Sequence, residues 1–367
     1  MKILLSGPRF HANYNGMIQG LEDAGHEVHF LSLFDDFKYT KVSKTKYHHN
    51  KHYIKFPSSL NFGFFKKRLP PNWQYLPNPF ALIRLIKKIE PDLIIARDFS
   101  FQTITLKFLS GNKIKFLLYN LWDIDLEYRK LSLFNKILIK LIFNKQNRIT
   151  PIFKNSNPRV LQSKGKTHSF YFPVISVPSG EKKQGKTIKF LCVSKLDQKR
   201  KNIKMLVAAL RPYLQKDEAT LHIIGTVKDE LSPTYKNLIE TVKSTKGISL
   251  EENLPYKECL NRYKNFDFFV LPAESEPLGY SILEAWSAGL PVLIADDGGL
   301  SKQIMEGETG FLFESNNQRS LQQKLEYILT QRRLIPEMGN KALEISKQFY
   351  QPRAFEKRIM EIYDKIN

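Results

Sequence analysis

Short apolar runs with no polar alternation recur along this chain, separated by stretches whose apolar residues return every three or four positions. The first pattern is that of a strand covered on both faces of a parallel sheet, the second that of an amphipathic helix. Lys2-Ile-Leu-Leu-Ser predicts an opening strand, residues 17–24 a helix, and Glu27-Val-His-Phe-Leu the next strand, with Gly25 stopping the helix between them. Asp92-Leu-Ile-Ile-Ala and Lys115-Phe-Leu-Leu-Tyr repeat the pattern, each after an amphipathic stretch. Such alternation predicts βαβ units and a parallel sheet. Residues 36–78, rich in His, Lys, Tyr and Pro with weak periodicity, predict loops poor in strand.

Around residues 173–185 the pattern lapses into Pro-Val-Ile-Ser-Val-Pro-Ser-Gly-Glu-Lys-Lys-Gln-Gly, whose prolines, glycines and charges predict an interdomain linker. A second series then begins with Ile188-Lys-Phe-Leu-Cys-Val. Its later strands are expected at Thr220-Leu-His-Ile-Ile, Ile248-Ser-Leu, Phe268-Phe-Val-Leu, Val292-Leu-Ile-Ala and Phe311-Leu-Phe. Helices are expected around residues 323–329, 337–348 and 352–366.

Between the strands at Phe268 and Val292, residues 281–288 read as a helix stopped by Gly289. Glu276 falls in the loop before that helix and Glu284 about two turns into it. Ligands of open parallel sheets sit outside the carboxyl ends of the strands, where helix N-termini also point. Glu276 is therefore expected at a ligand crevice, with Glu284 facing it from the helix. Carboxylates there repel phosphate, so their natural partners are neutral hydroxyls, as on a ribose or a sugar. A bare pair of Glu at this spacing reads as solvated helix surface; the surrounding residues change that. Glu276-Pro-Leu278-Gly279-Tyr-Ser, Leu283-Glu-Ala-Trp, Ala288-Gly-Leu-Pro-Val, Gly298-Gly299 and Gly307-Glu-Thr-Gly310-Phe-Leu stand in order along the segment. In that order and spacing it resembles the donor site of retaining family 4 glycosyltransferases, with their Glu-x7-Glu pattern.

The resemblance implies an α/β chain of two Rossmann-like domains facing a crevice (GT-B), with a C-terminal helix crossing back to the first domain. Residues 1–175, with the returning helix in 350–367, would form the acceptor domain and 186–349 the nucleotide-sugar donor domain. It implies transfer, with retention, of a hexose or N-acetylhexosamine from a nucleotide sugar, UDP-linked in preference to GDP-linked. The acceptor would be a hydroxyl of a growing, lipid-linked glycan in cell-surface polysaccharide or lipopolysaccharide synthesis. Glu276 would hold hydroxyls of the donor sugar and Glu284 those of the ribose, with Leu278 and Gly279 beside them.

Val193-Ser-Lys195-Leu-Asp-Gln-Lys199-Arg-Lys201-Asn follows one strand and precedes a helix, so its cations fall on a loop at the sheet's carboxyl edge. A nucleoside diphosphate leaving group needs such charges as the glycosidic bond breaks. Lys195 stands where relatives of the resembled family carry Arg, which replaces a bidentate fork by a point charge; Lys201 before Asn202 is the better match to their second cation. Gly298, Gly299, Leu300 and Ser301 follow a strand and are expected to open a helix whose free amides face phosphate. Lys302 stands where relatives carry Glu. In the first domain Gly7-Pro-Arg-Phe-His11-Ala-Asn13 joins the first strand to the first helix. Gly7, His11 and Asn13 are the candidates on the acceptor or sugar side. Relatives often place a His near residues 120–123; this chain has none there, so no catalytic His is carried over. His48, His49 and His52 lack acidic partners and regular spacing, and read as surface loop rather than metal ligands.

Charge changes the picture of partners. Residues 1–180 hold 28 Lys and Arg against 11 Asp and Glu, and the remainder 29 against 25, within a net charge of +21. A composition bias alone would load both halves, so the first is expected to face an anionic partner. Phe64-Phe-Lys-Lys-Arg68 and the apolar stripe Phe134, Ile137, Leu138, Leu141, Ile142 suit an anionic membrane surface, although the stripe by itself fits packing on the sheet better. Nucleic acid would also explain the charge, but no nucleic-acid module is recognisable and the excess lies outside the motif-bearing half. Two distant cysteines, Cys192 and Cys259, make neither a disulfide framework nor a metal spacing, which fits a reducing cytoplasm. The first strand begins too early for a signal peptide, and residues 131–143 are broken by Lys136 and Lys140. The expectation is a cytoplasmic protein, peripheral on the inner face of the membrane, with no cofactor and no metal. The alternative is an inactive sugar-nucleotide-binding subunit.

Overall fold

The computed structural model describes residues 1–33, 45–49, 53–55, 59–62, 65–68, 75–97, 100–111, 113–120, 146–151, 163–164, 166–180 and 185–366. The described residues divide into two compact units: those of 1–151, 163–173 and 352–366 form the first, those of 174–351 the second. Residues 130–145, expected to carry an apolar stripe, the side chains of 64–68, and His52 lie outside the described residues.

The first unit opens with β1 (Lys2–Gly7), α1 (Tyr14–Asp23) and β2 (Glu27–Ser32); Gly25, at φ 83°, ends the helix as its sequence implied. Then come β3 (Lys46–His49), β4 (Tyr53–Lys55), β5 (Ser59–Phe62), β6 (Phe65–Arg68), β7 (Tyr75–Pro77), α2 (Pro79–Ile89), β8 (Leu93–Arg97), α3 (Phe101–Ser110), β9 (Lys115–Tyr119), β10 (Asn147–Pro151), β11 (Ser163–Lys164) and β12 (Thr167–Phe170). The main sheet runs β11-β12-β10-β9-β8-β1-β2-β3, parallel but for β11. Leu4, Ile94, Ala96 and Leu118 from its strands pack with Leu82 of α2 and Leu106 of α3 in one buried cluster.

Two expectations for this unit need correction. Residues 36–78 are not strand-poor: β3 joins the main sheet, and β4–β7 and β5–β6 form small antiparallel ladders. These strands are three or four residues long, too short for a period of two to register in sequence. His48 is not surface loop either: it lies in β3, half-buried, its ring stacked on His29 at 5.1 Å and its Nε2 2.9 Å from His29 Nδ1.

The second unit comprises β13 (Ile188–Lys195), α4 (Ile203–Gln215), β14 (Ala219–Thr226), α5 (Pro233–Lys243), β15 (Ile248–Glu252), α6 (Tyr256–Arg262), β16 (Phe268–Leu271), α7 (Tyr280–Ser287), β17 (Val292–Ala295), β18 (Gly310–Phe313), α8 (Gln318–Thr330) and α9 (Ile335–Phe349). Its six strands, all parallel, run β15-β14-β13-β16-β17-β18. Numbered within the unit this is 3-2-1-4-5-6, the doubly wound order, which reverses between β13 and β16. The expected linker is firmer than its composition suggested. Val174, Ile175 and Val177 are buried, the Val174 N–H donates to the Tyr350 carbonyl (2.8 Å) and the Val177 N–H to Ser287 Oγ (3.1 Å).

The last helix, α10 (Pro352–Asp364), belongs to the first unit and packs along α1. A Cβ on Gly20 would stand 2.1 Å from the Pro352 carbonyl oxygen, so the approach of these helices requires glycine there. Phe355 lies against Phe170 (5.3 Å between rings), and Arg358 Nε donates to the Ser169 carbonyl at 3.0 Å.

Candidate functional site

The reversal of strand order in the second unit locates its ligand-binding edge, because chains leaving β13 and β16 depart over opposite faces and leave room above the strand ends. After β13 the chain makes a 3-10 turn, Lys199–Lys201, closed by Asn202 in the left-handed region at φ 49°. After β16 it runs through Glu274, Ser275 and Glu276 into α7. The two loops are stitched together. The Glu274 N–H donates to the Arg200 carbonyl at 2.8 Å, and Lys201 Nζ and Arg200 Nη1 both donate to one oxygen, Oε2 of Glu276, the latter at 3.1 Å. Lys201 is 7% exposed, a burial an ammonium tolerates only with a counter-ion. Glu276 is that counter-ion.

Arg200 was missed in the sequence, although the run Lys199-Arg200-Lys201 contains it. Only the turn shows which of the three cations face the Glu276 loop. Lys195, the last residue of β13, is open to solvent at its side. Crowding by the surrounding chain first, then the fields of Lys228, Lys201 and Arg200, hold its ammonium below the usual lysine range, against the pull of Asp197.

Glu284 corrects an expectation. It does not face an open crevice: it is 4% exposed, and its two oxygens accept from the hydroxyls of Tyr256 (2.6 Å) and Tyr263 (2.7 Å). Burial pushes its carboxyl above the usual range, and the two tyrosines oppose that rise. Desolvating a carboxylate costs several kcal/mol, and hydrogen bonds to a charged group return about 1.5–3 kcal/mol each, so two of them offset much of the cost. Tyr256 opens α6 and Tyr263 follows its end, two helical turns on. That seven-residue spacing on one helical face is the sequence signal that could have found them.

The two glycines turn out to differ. A Cβ on Gly299 would stand 1.7 Å from the Pro277 carbonyl oxygen, whereas one on Gly298 would meet nothing closer than 3.6 Å. Gly299 is thus required by the passage of the Glu276 loop, and its N–H donates to the Glu276 carbonyl at 2.7 Å. The expected helix after them is a single 3-10 turn, Ser301–Gln303, and the Ser301 N–H is spent on the Gly298 carbonyl. A turn this short offers no helix terminus to a phosphate. Leu278, Leu300 and Ser301 are buried, and Leu271, Ala273, Glu276, Leu278, Gly298 and Gly299 line a narrow cleft over the ends of β16 and β17. Gly279, at φ 67°, starts α7 in a conformation that favours glycine.

Gly7, His11 and Asn13 lie in the first unit, at or just after the carboxyl end of β1, where that sheet reverses its order between β1 and β8. A Cβ on Gly7 would stand 2.5 Å from the Tyr14 hydroxyl, so packing of Tyr14 accounts for this glycine. The His11 carbonyl accepts the Tyr14 N–H at 2.9 Å, and Asn13 precedes α1 with its Oδ1 buried. Among the described residues no group of three or more His, Cys, Asp and Glu is placed to hold a metal. Burial holds the Cys192 thiol up at about 12, an unreactive state.

Residues 177–345, which hold Lys195, Arg200, Lys201, Glu276 and Glu284, match the family model described as glycosyl transferases group 1. The match lies within the second unit and covers just under half of the chain. The chain is 32% identical over 144 residues to the sulfoquinovosyl transferase of Arabidopsis thaliana, 36% of this chain and 28% of that protein. It is 28% identical over 154 residues to the D-inositol 3-phosphate glycosyltransferase of Corynebacterium efficiens, 41% and 36% of the two chains. These matches span well under half of each relative's own length. Likeness of fold extends past the group 1 region to the whole chain. A glycosyltransferase from Rickettsia africae ESF-5 superposes with TM-score 0.71 at 16% identity, covering 99% of this chain and 98% of its own. Anabaena HepE in complex with UDP gives 0.73 at 15%, covering all of both. At such identities the likeness shows the fold, two Rossmann-like α/β units of the GT-B class.

Proposed function

We propose that this chain transfers a hexose or N-acetylhexosamine from a UDP-sugar to a hydroxyl of a growing, lipid-linked glycan, with retention and without a metal. The observation that carries the reading is the meeting of Lys201 and Arg200 with Glu276 at the strand-order reversal of the group 1 region. Cations at that edge suit a diphosphate, and a carboxylate in the next loop suits sugar hydroxyls. The reading is supported by Anabaena HepE, whose structures hold UDP and UDP-glucose.

In this reading Lys201, Arg200 and Lys195 stabilise the charge that develops on the leaving diphosphate, the task a metal ion performs elsewhere. Glu276 turns to the sugar hydroxyls once the phosphates hold its cations. Leu278 and Gly279 pack beneath the nucleotide, and Gly7, His11 and Asn13 serve the acceptor side. The test is a thermal-shift panel of UDP-, GDP- and ADP-sugars followed by turnover in excess EDTA. A UDP-sugar should give the largest shift, because ligand at a hundred times its dissociation constant adds about 2.7 kcal/mol. An absolute need for magnesium or manganese would overturn the metal-free mechanism, and no shift from any donor would overturn the activity.

The lipid-linked acceptor places the enzyme at the inner face of a membrane. The basic first half favours this, and α2 presents Phe80, 69% exposed, with exposed Arg84, Lys87 and Lys88 on one helical face. Among the described residues no helix is long and apolar enough to cross a membrane, so attachment would be peripheral.

A further inference from the structure

The loop that presents Glu276 contains a residue in a backbone region that L side chains rarely adopt. Ser275 has φ 47°, left-handed, without glycine's freedom. Asp297, two residues beyond β17, accepts both polar hydrogens of that serine on one oxygen: the Ser275 N–H at 2.9 Å and the Ser275 hydroxyl at 3.1 Å reach Asp297 Oδ2. The chain just before that carboxylate is anchored to the sheet. Its neighbour Asp296 donates its N–H to the Phe313 carbonyl at 3.0 Å and accepts the Ser315 N–H on Oδ1 at 3.0 Å. These bonds fix the exit of β17 against the end of β18, and with it the direction of Asp297.

Three consecutive residues are thereby tied to two other loops, the one after β13 and the one after β17. Glu274 donates to the Arg200 carbonyl, Ser275 to Asp297, and the Glu276 carbonyl accepts the Gly299 N–H. The first and last ties are backbone to backbone. The middle tie is made by a side chain, and it acts on the left-handed residue immediately before Glu276.

We propose that Asp297 is a positioning residue for Glu276: by holding Ser275 in the left-handed region it fixes the direction from which the Glu276 carboxylate meets Lys201 and Arg200. The consequence for catalysis rests on the reading that Glu276 acts on the sugar of a nucleotide donor; the placement of the carboxylate does not. An ordinary loop tie would affect stability alone. A positioning tie affects turnover without weakening nucleotide binding, because the cations that hold phosphate sit on the other loop and a misdirected Glu276 only frees them.

The experiment uses the full chain with Asp297→Ala, Asp297→Asn, Ser275→Gly and the double variant of Asp297→Ala with Ser275→Gly. UDP-glucose hydrolysis is followed for kcat and UDP binding by calorimetry. Asp297→Ala is expected to lower kcat about tenfold or more while UDP affinity falls by no more than about threefold. Asp297→Asn, which keeps an acceptor for the Ser275 N–H, should retain most of the rate. Ser275→Gly should restore part of what Asp297→Ala loses, since glycine adopts the left-handed region unaided. Unchanged kcat in Asp297→Ala, or kcat and affinity falling together with no rescue by Ser275→Gly, would overturn the proposal. Melting temperatures of Asp297→Ala, Glu276→Gln and their combination decide it independently of any donor. Shifts that do not add sustain the coupling, and additive shifts overturn it. A wild-type chain that ignores UDP and UDP-glucose would refute the donor reading, and the melting temperatures would still decide whether Asp297 and Glu276 are coupled.

Discussion

Lys201 and Glu276 neutralise one another where the second sheet reverses its strand order, and Arg200 shares the same carboxylate oxygen. A diphosphate arriving at these cations competes with a carboxylate already in place. Glu276→Gln leaves the Lys201 ammonium buried beside Arg200 without its counter-ion, which costs on the order of a few kcal/mol. UDP can then supply the missing charge. The melting-temperature gain from UDP is therefore expected to be larger in Glu276→Gln than in the wild type, while turnover falls about a hundredfold. A smaller gain in the variant would mean that phosphate and carboxylate do not share these cations.

Lys201→Ala acts in the opposite sense. It removes a phosphate partner and leaves Glu276 with Arg200, which is more exposed. UDP binding should weaken much more than uridine binding, as titration calorimetry with each would show. Equal losses for nucleoside and nucleotide would point to a general collapse of the loop.

The paired glycines should part company on substitution. Gly298→Ala introduces only ordinary contacts, the nearest at 3.6 Å, whereas Gly299→Ala drives a methyl to 1.7 Å from a backbone carbonyl. Gly298→Ala is expected to melt close to wild type. Gly299→Ala should lose about 1–3 kcal/mol of stability by overpacking and carry the Glu276 loop out of place. Indistinguishable melting curves would contradict the geometry.

That contrast shows how far the sequence could be read. Both strand series of the regular βα alternation were legible because buried parallel strands are continuous apolar runs, and Glu276 and Lys201 could be put on loops at strand ends, though neither Arg200 nor their pairing could be read. Asn147-Arg-Ile-Thr-Pro (β10) and Thr-His-Ser-Phe at 167–170 (β12) were not, since each offers little apolar periodicity. The burial of Glu284 was hidden for another reason. A helix pattern shows which residues share a face, but the tyrosines that take the carboxylate come from a different element. Gly299 likewise owes its identity to a carbonyl 22 residues earlier in the chain, at Pro277.

Glu284 should leave a signature in the pH dependence of stability. Its folded carboxyl titrates above the ordinary value of 4.5, so the folded chain keeps a proton that the unfolded chain has lost. Its contribution to stability is present at low pH and is lost as pH rises through the raised value. Tyr256→Phe and Tyr263→Phe remove bonds that favour the carboxylate, so both should destabilise more at neutral pH than near pH 4.5. Glu284→Gln, which carries no charge to bury, should gain on the wild type as pH rises. Parallel melting-temperature profiles for wild type and Glu284→Gln would show that the carboxyl is not shifted.

Charge on the first unit makes the membrane reading testable on one helix. Phe80, Arg84, Lys87 and Lys88 lie at i, i+4, i+7 and i+8 on the outward face of α2, while Leu82 and Ile89 are buried beneath. Each cation near an anionic leaflet contributes about 1 kcal/mol, and the attraction decays within a Debye length of about 8 Å at physiological salt. Flotation with vesicles of increasing phosphatidylserine should therefore recover increasing protein at low salt and little at high salt. Reversing Arg84, Lys87 and Lys88 to Glu should reduce recovery more than Phe80→Ala, because reversal removes about 3 kcal/mol of attraction and adds repulsion, whereas burying one ring contributes about 1.5–3 kcal/mol. A triple variant that still floats like the wild type would remove α2 from the contact. Equal recovery on neutral and anionic vesicles, or none on either, would end the proposal that charge brings this chain to a membrane.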